Sequence, residues 1–256
     1  MARRGAFVVV EGLDRSGKTT QTDILRQRIQ EAGKEVACVK FPDRSTPIGK
    51  MIDLYLRSQS DLDDHVVHLL FSANRWELAS TILSHLEQGK LVLCDRYAFS
   101  GIAFSVAKIL PSQPSLSTTI HSEQSFGKLS PINLTWARAP DSALPSPDLT
   151  LFLDVSPEVA YTRGGYGEER YEKADMQSRV RSVFEEIGRE VSADAGEGKH
   201  GNGKWIVIDA GREMHTVTEE IWRHVQPLLD GVESSVGRLW AHDCCESGTW
   251  NSFNFF

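Results

Sequence analysis

Twenty residues near the start of the chain, AFVVVEGLDRSGKTTQTDIL (6–25), constrain the fold more than any others. An apolar run leads into a glycine-bearing octet, and a helical apolar pattern leads out. Gly12 to Thr19 read GLDRSGKT and satisfy G-x-x-x-x-G-K-[ST], a pattern that carries weight only between a strand and a helix. Gly12 and Gly17 allow the backbone turns that let amides and a helix N-terminus cradle β- and γ-phosphate oxygens. Lys18 supplies positive charge there, and Thr19 offers its hydroxyl to Mg²⁺. Ser16 and Thr20 fall in the same nucleotide-binding stretch. Such a loop implies a bound nucleoside triphosphate without saying what is done with it. Arg15 is out of keeping with the loop's small residues and needs a reason.

The rest of the chain alternates in the same way. Apolar runs at 6–11, 35–41, 90–95, 148–155 and 204–209 are predicted strands. Apolar residues spaced by three and four predict helices over 17–32, 47–59, 62–88, 98–108, 156–163, 174–192 and 215–230. Continuous apolar strands alternating with helices imply an α/β fold: a five-stranded parallel sheet covered on both faces, its ligands at the carboxyl ends of the strands. Residues 109–133, rich in Ser, Pro and Thr, break the pattern and are expected to be a disordered insertion. Residues 193–204 read as a Gly-rich loop.

With 28 basic against 35 acidic residues the chain carries a formal charge of −7, which argues against nucleic acid or an anionic membrane surface as a partner. No run approaches the roughly 20 apolar residues of a membrane span, and Glu11 cuts the N-terminal apolar run short of a signal peptide. Cys38 and Cys94 lie in strand-like runs and are expected to be buried thiols, while adjacent Cys244 and Cys245 suggest no disulfide framework. A reducing setting follows, cytoplasmic and open to the nucleus as well.

Four further segments fall at strand ends or on one helix: FPDRSTPIG with Arg44, CDRYAFSG with Asp95 and Arg96, LLFSANRWE with Phe71 and Arg75, and TRGGYGEERYE over 162–172. Each has a plainer reading. Phe71 fits an amphipathic helix core, Arg75 a surface pair with Glu77 or Asp61, Arg44 a loop cap, and Asp95–Arg96 a structural ion pair. Taken together and in this order, the segments resemble thymidylate kinase from about residue 5 to Trp240, the type with an arginine in the phosphate loop that eukaryotes carry.

The resemblance implies a P-loop nucleoside monophosphate kinase fold over 1–240 with a short lid at 162–172, and a C-terminal tail, 241–256, of unknown role. It implies transfer of the γ-phosphoryl of ATP to dTMP, giving dTDP. Arg44 and Arg96 would clamp the monophosphate. Phe71 would stack on thymine while Arg75 donates to a base carbonyl, and Phe104 would lie under the sugar. Asp14 would meet the 3′-hydroxyl, and Tyr171 and Gln177 would help close over the monophosphate. Asp95, with Thr19, would place Mg²⁺, and Arg163 would stack over adenine beside Asp209–Gly211. Arg15, Lys18, Asp95 and Arg96 would be the catalytic set, with Arg15 on the transferred group, where an arginine is worth roughly 10³–10⁵ in rate. Gly164, Gly165 and Gly167 would hinge the lid, and Arg170 could share in catalysis. A homodimer through the 62–88 region is also implied. Two other functions stay open: another nucleotide or deoxynucleoside kinase, and an ATP-binding regulatory protein without phosphotransfer.

Overall fold

The computed structural model describes residues 3–109, 132–163, 170–171, 173–196 and 203–241. The segment 110–131, the hinge glycines of the expected lid and the paired cysteines near the C-terminus lie outside the described residues.

Five parallel strands form one sheet: β1 (Phe7–Gly12), β2 (Val36–Lys40), β3 (Leu91–Asp95), β4 (Leu149–Asp154) and β5 (Lys204–Asp209), in the order β2-β3-β1-β4-β5. The three central strands are the near-continuous apolar runs, and every residue of β1 and β3 is buried. They can be apolar throughout because helices cover both faces. The edge strands are less covered. Here one expectation fails: Cys38 is exposed, because β2 pairs only with β3 and none of its residues is fully buried. Cys94, in β3, is buried as expected.

The helices are α1 (Lys18–Glu31), α2 (Pro47–Leu56), α3 (Asp64–Glu87), α4 (Ala98–Ile109), α5 (Leu134–Arg138), α6 (Pro157–Thr162), α7 (Ala174–Gly196) and α8 (Met214–Val225). Several begin on capping residues: the Thr46 side chain accepts from the amide of Gly49 and Asp63 from that of His65, each satisfying an otherwise open donor. α5 and the short 3₁₀ turn Ala139–Asp141 that follows it were not predicted.

The chain leaves β1 for the edge position of β2, returns to β3 beside β1, and then crosses to β4 on the other side. Neighbouring connections therefore diverge at the carboxyl ends of β1 and β3, the place where open parallel sheets bind ligands. Register brings Val10 level with Asp95, and Asp95 level with Lys40, so three strand ends open into one crevice.

Candidate active site

That crevice is a cleft of about 360 Å³. One wall is the phosphate loop, where Asp14, Arg15, Gly17, Lys18, Thr19 and Thr20 reach the surface of the cleft. Gly17 has φ 90° and starts α1; Gly12 has φ 151°, and a Cβ there would lie 2.5 Å from the Leu153 carbonyl oxygen. Only glycine suits either place. Ser16 is buried beneath the loop and accepts from Lys18 Nζ at 3.3 Å.

Lys18 is itself buried, and its ammonium folds back onto the Leu13 carbonyl at 2.5 Å. Burial, and then the neighbouring Arg96 charge, lower its pKa to about 7 against the pull of Asp14, Asp95 and Glu11. A buried ammonium bonded to neutral oxygens is a charge prepared for an anion.

Thr19 Oγ1 donates to Asp95 Oδ2 at 2.9 Å. Lys40 Nζ reaches the same pair, 3.3 Å from Asp95 Oδ2 and 3.2 Å from Thr19 Oγ1. A cationic group thus already rests on a hydroxyl and a carboxylate, the hard oxygen ligands that suit Mg²⁺. Thr19 and Asp95 fit the expected metal position.

The opposite wall presents Arg44, Phe71, Arg75, Arg96, Phe104 and Tyr171. Arg44 Nη1 is steered by Asp53 of α2 at 2.7 Å. Arg96 donates to the Gly12 carbonyl at 3.1 Å and to Asp14 Oδ1 at 2.5 Å, and its guanidinium lies 5.5 Å from the Phe104 ring centre. Arg15 in the phosphate loop and Arg96 beside it have φ of 63° and 67°. Left-handed backbone at a non-glycine residue costs on the order of 1–3 kcal/mol and collects at functional sites.

Arg75 is 2% exposed and pairs with Asp141, which is fully buried, through Nε at 3.0 Å and Nη2 at 2.5 Å. Neither Glu77 nor Asp61 is its partner. Phe71, partly buried, packs one side against Ile52, Tyr55, Leu56 and Val67 while lining the cleft.

Two predicted residues act from behind. Gln177, on α7 and buried, donates to Asp14 Oδ2 at 2.8 Å and accepts from the Asp14 amide at 3.0 Å; it also donates to the Tyr171 carbonyl. It joins α7 to the phosphate loop. Arg163 donates to the carbonyls of Arg15 and Ala210, at 2.8 and 2.7 Å, bridging the loop to the end of β5. Arg170 faces elsewhere: it donates to the carbonyls of Tyr55 and Ser60 and pairs with Asp61 on the α2–α3 connection.

Sequence reasoning missed Glu11 as a site residue. This fully buried carboxylate accepts from the amides of Tyr97 and Ser100 and from the Ser100 hydroxyl, so β1 caps the start of α4 and sets the direction of Arg96. Burial raises its pKa, and the Ser100 bond and the Arg96 charge oppose the rise. Its signal was in view: one carboxylate ending an apolar strand. Asp141 and Asp53, which hold the two arginines, had no such signal.

The family model described as thymidylate kinase matches residues 10–113 and 119–221. Thymidylate kinase from Danio rerio is 42% identical over 243 residues, spanning 93% of this chain and 98% of that protein. The Homo sapiens thymidylate kinase is 38% identical over 93% of this chain and 99% of its own. Among solved structures, thymidylate kinase from Candida albicans superposes with a TM-score of 0.75 at 36% identity, covering 93% of this chain and all of that one. The fold is that of the P-loop nucleoside monophosphate kinases, and the chain belongs to the thymidylate kinase family.

Proposed function

We propose that this protein transfers the γ-phosphoryl group of ATP to dTMP, giving dTDP and ADP. One observation carries the reading: a single cleft sets a phosphate loop against a wall bearing two arginines and an aromatic–arginine pair on α3. The arginines suit a phosphate dianion, since guanidinium forks match its oxygens better than lysine does.

The acceptor is already a phosphate oxygen, so catalysis is positioning and charge stabilisation, with no strong general base. The bond from the γ-phosphorus to its bridging oxygen breaks, a bond to a dTMP phosphate oxygen forms, and ADP leaves with the bridging electrons. Lys18 and the loop amides hold the donor phosphates, and Arg44 and Arg96 hold the acceptor. Arg15, on the loop between them, meets the charge that spreads over the equatorial oxygens. Thr19 and Asp95 would hold Mg²⁺, which when bound offsets charge on the donor phosphates.

A homodimer is part of the proposal. Met51 and Leu54 on α2 and Val66, Leu69 and Trp76 on α3 are each more than 40% exposed, and none of them lines the cleft. Leu69→Glu is expected to convert a dimer to a monomer in equilibrium sedimentation.

The deciding experiment measures ADP release with ATP and Mg²⁺ across dTMP, dUMP, dGMP, UMP and thymidine. Strong stimulation by dTMP supports the reading. Stimulation by thymidine instead marks a nucleoside kinase, and ADP release indifferent to every acceptor marks a regulatory ATPase.

A further inference from the structure

Among the described residues His68 is the one fully buried histidine. It lies on α3, three residues before Phe71 and seven before Arg75, on the face turned toward the cleft. Its Nε2 is 2.8 Å from the Ala137 carbonyl oxygen, and its Nδ1 is 2.8 Å from Ser105 Oγ. A carbonyl oxygen can only accept, so the ring proton is on Nε2. Burial, and then the Arg75 charge, lower the His68 pKa and keep the ring neutral, with Asp141 opposing. Nδ1 is therefore a bare lone pair, and the single Ser105 hydroxyl proton points at it.

Ser105 also lines the cleft. Its proton being committed, it offers that space lone pairs only. One turn earlier on α4 is Gly101, where an added Cβ would lie 2.7 Å from Arg75 Nη1. With Nε and Nη2 spent on Asp141, Arg75 has Nη1 left for the cleft. A fixed donor thus stands near a fixed acceptor. A 4-keto pyrimidine shows the complementary edge, an accepting O4 beside a donating N3–H. A 4-amino pyrimidine shows the inverse at both positions.

Resting on the proposed dTMP site, we propose that His68 is a positioning residue that fixes Ser105 as a hydrogen-bond acceptor, so that the cleft selects 4-keto over 4-amino pyrimidine monophosphates. Rejection follows because both polar groups of the site would face a like partner, and an unmet buried group weighs more than a weak contact.

The first test is nitrogen-edited NMR of the full chain with labelled histidine, the His68 signal being assigned by its loss in His68→Asn. An Nε2–H tautomer at neutral pH is expected; an Nδ1–H tautomer overturns the proposal. The second compares dissociation constants for dTMP and dCMP. Ser105→Ala and His68→Leu should each lower the preference for dTMP about tenfold, the worth of one such hydrogen bond. His68→Asn, whose amide oxygen can accept from Ser105, should retain it. Equal weakening of both ligands with the ratio unchanged would mean a merely structural role and overturn the proposal. Should His68→Leu fail to fold, Ser105→Ala decides. Because binding is read rather than turnover, a protein that prefers dTMP but transfers no phosphate refutes the proposed activity and leaves the pocket's polarity supported.

Discussion

The two walls of the cleft solve the problem of buried charge in opposite ways. On the donor side Lys18 bonds only to the Leu13 carbonyl and the Ser16 hydroxyl, and no carboxylate among the described residues lies within ion-pair distance of it. On the acceptor side Arg75, just as deeply buried, is already neutralised by Asp141. The donor wall leaves its charge for the ligand to balance. At Arg75 the acceptor wall balances its own charge and uses the leftover geometry to read shape. Phosphate is recognised mainly by backbone and net charge, whereas a base edge must be matched atom by atom, which requires side chains already locked in place.

The largest break in this comparison is Arg15→Ala. Removing an arginine that meets the transferred group should lower turnover by about 10³-fold or more. Arg15 is half-buried with φ 63°, a backbone strain that alanine would share, so the urea midpoint should move little and dTMP binding should survive. Steady-state kinetics beside an unfolding curve checks both halves, and turnover near that of the wild type would remove Arg15 from the chemistry.

Asp141→Ala is the converse. Stripping one partner from a buried ion pair leaves an uncompensated charge, at a cost of about 3–5 kcal/mol. Urea unfolding should show that loss, with reduced dTMP affinity and with nucleotide binding at the phosphate loop preserved in whatever fraction folds. A variant as stable as the parent would mean that Arg75 finds water or another partner, and that the acceptor wall is less rigid than its geometry indicates.

The same contrast explains what could be read in advance. The phosphate loop is local: strand, turn and helix occupy adjacent residues, and its glycines are dictated by φ at Gly17 and by the close approach of Leu153 to Gly12. The five strands, and the burial of the three central ones, followed from apolar runs, because central parallel strands have no wet face. Cys38 was misjudged because an apolar run does not say whether its strand will be at an edge. The acceptor wall is assembled across long separations. Arg75 and Asp141 are 66 residues apart, and His68 reaches a carbonyl 69 residues on. Their partners depend on where the unpredicted Leu134–Asp141 segment docks, and periodicity carries no trace of that. The motifs named Arg75 and Phe71 through a family likeness, but the groups that aim them were legible only in three dimensions.

The smallest effect sharpens the donor half. Unfolded, Lys18 titrates near 10.5; folded and without ligand, burial lowers it to about 7. Between those values the unfolded chain holds a proton that the folded chain lacks, so this group's contribution to stability is least favourable below pH 7 and improves as pH rises through the window. Phosphate oxygens beside Nζ favour the ammonium again and raise the folded value. ADP binding above pH 7 should then draw a proton from solution, which calorimetry reads as a dependence of binding enthalpy on the buffer's ionisation enthalpy. At about pH 6, where Lys18 is already charged and the ADP phosphate still holds part of a proton, binding should release protons rather than take them up, and uptake should approach one proton by about pH 8.5. At the higher pH the nucleotide phosphates have no proton left to titrate, so the uptake belongs to the protein. Uptake equal at both values would mean that the Lys18 ammonium is balanced before ligand arrives, and the donor wall would then resemble the acceptor wall after all.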